Sequence, residues 1–215
     1  GWGYKRIADA LEVTYAAVRW YVEAEGAKQY PDPMPLRTVV WDLETSNLKT
    51  DMGTLLVASF LDISRDEIET VHIECDQEHG NIAAREKRLI QQVLGMYVNC
   101  DVLIGHNTLT FDVPFLRGCA ARYGLGTLPP RFHIDSYQVA RHGLKAQLQS
   151  YSLDNLGDFF GVGVKNRPSK HEWRGAGLLD EPSILSLVAR CEADVRLNAA
   201  VWDCLKPYWF TWRGR

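Results

Sequence analysis

The ten residues Thr38–Asn47, TVVWDLETSN, set two acids, Asp42 and Glu44, inside an apolar run. Val39, Val40, Trp41 and Leu43 mark that run as a strand bound for a protein interior. A strand turns alternate residues to one face, so the two carboxylates share a side about 7 Å apart. Isolated buried carboxylates are costly and tend to protonate. A divalent cation between them keeps them ionised, and hard oxygen donors suit Mg²⁺ or Mn²⁺. A strand end whose acids reach water or an arginine accounts for the same pattern without a metal.

Two further acids extend the pattern. In VLIGHNTLTFDVPFL, Asp112 opens a helix after a strand and a short loop. Compensation of the helix dipole is the plainer account of an acid there. In ARCEADVRLNAAVW, Asp194 lies in an apolar helical stripe that includes Leu187, Cys191, Val195 and Trp202. The segment Lys165–Gly175, KNRPSKHEWRG, gathers Lys165, Arg167, Lys170 and Arg174 with Trp173 around a single acid, Glu172. Basic side chains beside an aromatic suit the backbone of a single nucleic-acid strand, and they equally describe a charged surface loop.

From Leu36 onward, strands and helices alternate. Strands are expected at Leu36–Leu43, Gly53–Ile63 and Ile68–Cys75, then in DVLIGHN and RFHIDS. An amphipathic helix runs from Asn81 to about Val98, and FDVPFLRGCAARYG forms another, closed by Gly124. SLDNLGDFFG gives a short helix stopped by Gly161, and Pro182–Leu205 a long one. Three meandering strands followed by helix–strand–helix–strand predict an α/β domain, a mixed sheet covered by helices.

Residues 1–30 stand apart, with QYPDPMPLR as a proline-rich linker to a domain at 36–215. They predict a small helical hairpin whose apolar faces are Ile7, Ala8 and Leu11, then Ala17, Val18, Tyr21 and Val22. Its spacing, Y-x-x-I-A-x-x-L-x-V-x-x-x-x-V, resembles a helix-turn-helix, which implies duplex DNA binding, although Glu12 stands where such motifs carry Gly and a plain helical hairpin fits equally. Four basic residues there are matched by four acids, and a DNA reader normally shows a basic face. The hairpin is too small to close a core alone, so it is expected to pack on the larger domain through Trp2, Trp20 and Tyr21.

The whole chain of 215 residues carries a net charge of −3, which does not advertise a nucleic-acid binder by bulk electrostatics. No apolar run reaches about 18 residues, so no membrane partner is expected. Five scattered cysteines without a CxxC pair fit thiols in a reducing cytoplasm, and the helix-turn-helix-like segment points to a bacterial or phage-like protein.

Together, the acid-bearing segments resemble the DEDD exonuclease superfamily, the proofreading-type 3′–5′ exonucleases with a ribonuclease H-like fold. Asp42 and Glu44, with Thr45 following, match its first motif; Asn107, Phe111 and Asp112 match its second; Asp194 matches its third. The resemblance covers Leu36 to about Leu205. It implies that Asp42, Glu44, Asp112 and Asp194 hold two Mg²⁺ or Mn²⁺ ions. Ions about 4 Å apart can clamp both the attacking and the leaving oxygen of a phosphodiester displacement. It further implies that Thr45 and Asn107 orient the terminal nucleotide and that Phe111 stacks on its base, with Lys170 and Arg174 expected along the strand.

One departure stands out. The family carries a Tyr four residues before the final Asp, or a His five before it, and this chain has Arg190 and Ala189 there. Arg190 shares a helical face with Asp194 and is expected to pair with it. A guanidinium cannot act as a base. Three readings follow: the metal alone activates the water, another group reaches in, with His171 the candidate ahead of His106 and His142, or the enzyme is slow or silent. The implied activity is 3′–5′ removal of nucleotides from a single strand, DNA rather than RNA. An RNA or junction nuclease of the same fold is the first alternative, and a catalytically weak binding module the second.

Overall fold

The structure, a computed structural model, describes residues 36–76, 78, 80–165 and 169–212. The expected N-terminal hairpin, its DNA reading, its packing residues and Arg167 therefore lie outside the described residues. Within the unit Leu36–Arg215, five strands form one mixed sheet. They are β1 (Thr38–Thr45), β2 (Leu55–Asp62), β3 (Glu67–His72), β4 (Val102–Gly105) and β5 (Phe132–Asp135). Their order across the sheet is β3-β2-β1-β4-β5. The β1–β2 and β2–β3 pairs are antiparallel, whereas β1–β4 and β4–β5 are parallel.

The helices are α1 (Ile82–Val98), α2 (Asp112–Arg122), α3 (Ser136–Val139), α4 (Leu153–Phe160), α5 (Lys170–Gly177) and α6 (Glu181–Trp212). Asn81 caps α1 by accepting from the Ala84 N–H, and Ser152 caps α4 through Asn155 N–H. Gly161 ends α4 at φ 69°, a left-handed conformation that favours glycine. Among the described residues, no helix is long and apolar enough to cross a membrane.

Successive residues of β1 face two different cores. Val39, Trp41 and Leu43 join a core cluster with Leu89, Ile90 and Val93 of α1 and Phe115 and Leu116 of α2. Val40 joins a second cluster with Leu156 of α4 and Val195, Val201 and Trp202 of α6. Asp42 and Glu44 follow Val40 in the alternation and so face α6. β2, the inner antiparallel neighbour, is buried at all eight positions.

The architecture matches the expected α/β class, and the differences are local. β1 runs two residues further than expected, which brings Glu44 inside the strand. α6 continues through Pro207 to Trp212, because Trp209 packs edge-on against Trp202 and Phe132 with centroids 5.9 Å apart. Two elements were not expected. One is α3 with the π-helical turn Ala140–Leu144 that continues it. The other is α5, which replaces most of the expected basic loop.

Candidate metal centre

The site begins where two parallel strands part. β1 pairs with β4 only from Thr38 to Val40, although β1 runs on to Thr45. Beyond that point the Leu43 N–H has no β4 carbonyl to meet, and it donates instead to Asp112 Oδ1 at 3.2 Å. The first residue of α2 thus takes over a ladder position of β1. This opening lies at the carboxyl ends of the parallel strands, where α/β sheets commonly place their ligands.

The loop from β4 to α2 is held by Asp135 at the end of β5. Its Oδ1 accepts from the Asn107 N–H at 2.9 Å and its Oδ2 from the Leu109 N–H at 3.1 Å. The same carboxylate caps α3 through the Tyr137 and Gln138 N–H groups. Asn107 sits at φ 62°, a left-handed conformation that asparagine tolerates better than most residues. Thr110 Oγ1 donates to its Oδ1 at 2.5 Å.

Across the opening, Asp42, Glu44 and Asp194 each offer an oxygen within 4.8 Å of the other two. Asp112 is outside that trio but lines the same cleft, a cavity of about 250 Å³. Two cations enter the cluster. Arg190 Nε lies 2.6 Å from Glu44 Oε1 and its Nη2 lies 3.5 Å from Asp194 Oδ2. Lys165 Nζ lies 2.6 Å from the same Asp194 oxygen. The Arg190 guanidinium also rests over the Trp173 ring, 5.6 Å from its centroid.

Burial and mutual repulsion raise the proton affinity of these acids. Asp42 is pushed well above the usual carboxylate range by desolvation, then by the charges of Asp112 and Glu44. Asp112 is raised to about 7 by burial, against the lowering influence of the Asp112 and Leu43 N–H groups. Burial also raises Glu44, and Arg190 opposes it. Burial depresses His106 to about 4, helped by the Lys165 charge. Its Nδ1 is 2.9 Å from Ser136 Oγ, which donates to Asn198 Oδ1 of α6 at 2.7 Å.

The donor set fits a hard divalent cation, being made of carboxylate oxygens converging on one point. Asp194 Oδ1, on a side chain that is 1% exposed, is buried with no hydrogen-bond partner. A buried carboxylate oxygen without a hydrogen-bond donor is suited to ligate a cation.

Of the residues singled out from sequence, Asp42, Glu44, Asp112, Asp194, Thr45, Asn107 and Phe111 all line this cleft. His171, Lys170 and Arg174 do not line it; all three are exposed on α5. The helix turns Trp173 toward the cleft instead. The expected Arg190–Asp194 pair is present, but its closer partner is Glu44 on β1. Lys165 and Trp173 were expected along a nucleic-acid strand rather than against the carboxylates, and Asp135 was not singled out. For Trp173 a signal existed, since Ser169 and Glu172 form a reciprocal capping box that starts α5. Nothing in the sequence pairs Lys165 with Asp194; that approach depends on the Lys165 N–H donating to Asp154 Oδ1 of α4 at 3.0 Å.

Residues 39–170 match the family model of the RNase H superfamily. A DNA polymerase of Methanocaldococcus jannaschii is 27% identical over 162 residues, an alignment covering 63% of this chain and 10% of the polymerase. The family B DNA polymerase from the hyperthermophilic archaeon Pyrobaculum calidifontis superposes with a TM-score of 0.63 at 20% identity. That match takes in 83% of this chain and 26% of the other, and at such identity it speaks to the fold alone. The chain spans only a minor part of either polymerase's length.

Proposed function

The chain belongs to the RNase H superfamily, and from that premise we propose that it is a metal-dependent 3′–5′ exonuclease acting on single strands, DNA in preference to RNA. The observation that carries the reading is the convergence of Asp42, Glu44 and Asp194 from β1 and α6, with Asp112 in the same cleft. Bound divalent ions would neutralise charge on the phosphodiester and acidify the attacking water. Asp42, Glu44 and Asp194 would hold an ion, and Asp112 would serve a second where one is bound. Thr45, Asn107 and Phe111 line the cleft, where they would orient a terminal nucleotide.

The cleft shares His106, Asn107, Lys165 and Arg190 with a larger groove of about 900 Å³. Tyr137, Tyr151 and Arg141 line that groove and offer faces for bases and a charge for phosphates. This supports an unpaired strand as substrate. The Methanocaldococcus jannaschii relative is a DNA polymerase, which favours DNA. A silent site kept for binding is the second reading, favoured by the Arg190 and Lys165 ion pairs that already engage the carboxylates.

The deciding experiment incubates 3′- and 5′-labelled DNA and RNA strands with Mg²⁺ or Mn²⁺, wild type beside Asp42→Ala. Stepwise loss from the 3′ end by wild type alone is expected, with the variant slower by about 10³-fold or more. Metal-independent cutting, or no cutting of any strand, would overturn the reading.

A further inference from the structure

The two cations in the carboxylate cluster change how many metal ions it can take. Arg190 and Lys165 are neither rim residues nor distant counter-charges. Their nitrogens lie 2.6 Å from Glu44 Oε1 and from Asp194 Oδ2, so oxygens that two ions would use are already engaged. Both cations are set in place by other elements. Trp173 of α5 lies beneath the guanidinium, and Asp154 of α4 anchors the Lys165 backbone.

Charge balance points the same way. With all four acids ionised, four negative charges face the two positive ones, and one divalent ion completes the neutralisation. A second ion would leave the cleft two charges positive, in surroundings that screen charge poorly. The position best furnished for the single ion is the trio within 4.8 Å, which includes the buried, partnerless Asp194 Oδ1. A guanidinium presents several donors in a fixed fork that matches phosphate oxygens, and it keeps its charge at any working pH.

We propose that Arg190, with Lys165, stands in for a second metal ion. The cluster then holds one tight divalent ion on Asp42, Glu44 and Asp194, and Arg190 contacts the substrate phosphate directly. This rests on the nuclease reading above. It makes Arg190 a catalytic residue that replaces a cation, where the family places a Tyr or His.

The test is Mn²⁺ binding to the full 215-residue chain, counted by equilibrium dialysis and by the fall of the free-Mn²⁺ electron paramagnetic resonance signal. Wild type should bind one tight Mn²⁺. Arg190→Gln should bind a second, or bind the first at least tenfold more tightly, and should cut labelled DNA at least tenfold more slowly. Arg190→Lys, which keeps a cation, should again bind one, so the comparison survives if the glutamine variant folds poorly. Two tight ions in wild type would overturn the inference, and cleavage by that same protein would leave the nuclease reading standing. Unchanged binding in Arg190→Gln would also overturn it. No bound Mn²⁺ together with no cleavage would overturn both.

Discussion

His106 shows how a single side chain near the cleft is committed to one protonation state. Burial and the Lys165 charge hold its imidazole near 4, below the value of about 6.5 expected in an unfolded chain. A depressed histidine supports the fold above the unfolded value, and that support is lost as pH falls from about 6.5 toward about 4. The buried acids Asp42 and Asp112 change stability in the opposite sense over this range, so the His106 contribution is read from a difference. Between pH 7 and pH 5, urea unfolding should show wild type losing about 1–2 kcal/mol relative to His106→Gln. An identical pH dependence in both proteins would mean that His106 is not the group responsible. At this scale the sequence was informative where a carboxylate interrupts an apolar pattern. Asp42, Glu44 and Asp194 could be found that way because burial makes an acid conspicuous. Lys165 could not, since a lysine in a polar loop is ordinary until Asp154 turns that loop inward.

The loop between β4 and α2 is the element on which the site depends most. It carries Asn107 and Phe111, ends on Asp112, and starts at Gly105, where a Cβ would meet the Cβ of buried Thr108 at 2.4 Å. Gly105→Ala must push Thr108 outward and drag the loop with it. We expect a loss of about 1–3 kcal/mol in stability and a fall in cleavage beyond what the lost stability explains. Parallel melting curves and rates at a temperature where both proteins stay folded would check this. Unchanged rates would show that the loop absorbs the methyl. The strands of this region were legible from their apolar runs, and α2 from its closing Gly124. The splay between β1 and β4 was not, because it depends on strand pairing beyond Val40 rather than on composition. α5 was hidden by its two glycines and its charge, though its capping box lay in plain view at Ser169 and Glu172.

Over the whole molecule, the alternation of elements announced a mixed sheet covered by helices, because βα periodicity is written along the entire chain. What joins the elements at the cleft depends on contacts distant in sequence, such as Arg190 to Glu44 across 146 positions. The same contacts set how the molecule responds to metal. An ion that binds only the folded form at about a hundred times its dissociation constant adds about 2.7 kcal/mol. Saturating Mn²⁺ should therefore raise the melting temperature of wild type by roughly 5–10 °C over the value in a chelator, and leave Asp42→Ala nearly unmoved. Calorimetry can measure both, and an equal rise in the variant would place the stabilising ion elsewhere. The Arg190 and Lys165 pairs also bear on the order of events in the life of the protein. Because Glu44 and Asp194 already have partners of opposite charge, and Asp42 and Asp112 can hold protons, a newly made chain has no need of a metal to finish folding. On the nuclease reading proposed above, it would accumulate intact and idle in a metal-starved cell, and the later arrival of the ion would start it working without any new synthesis.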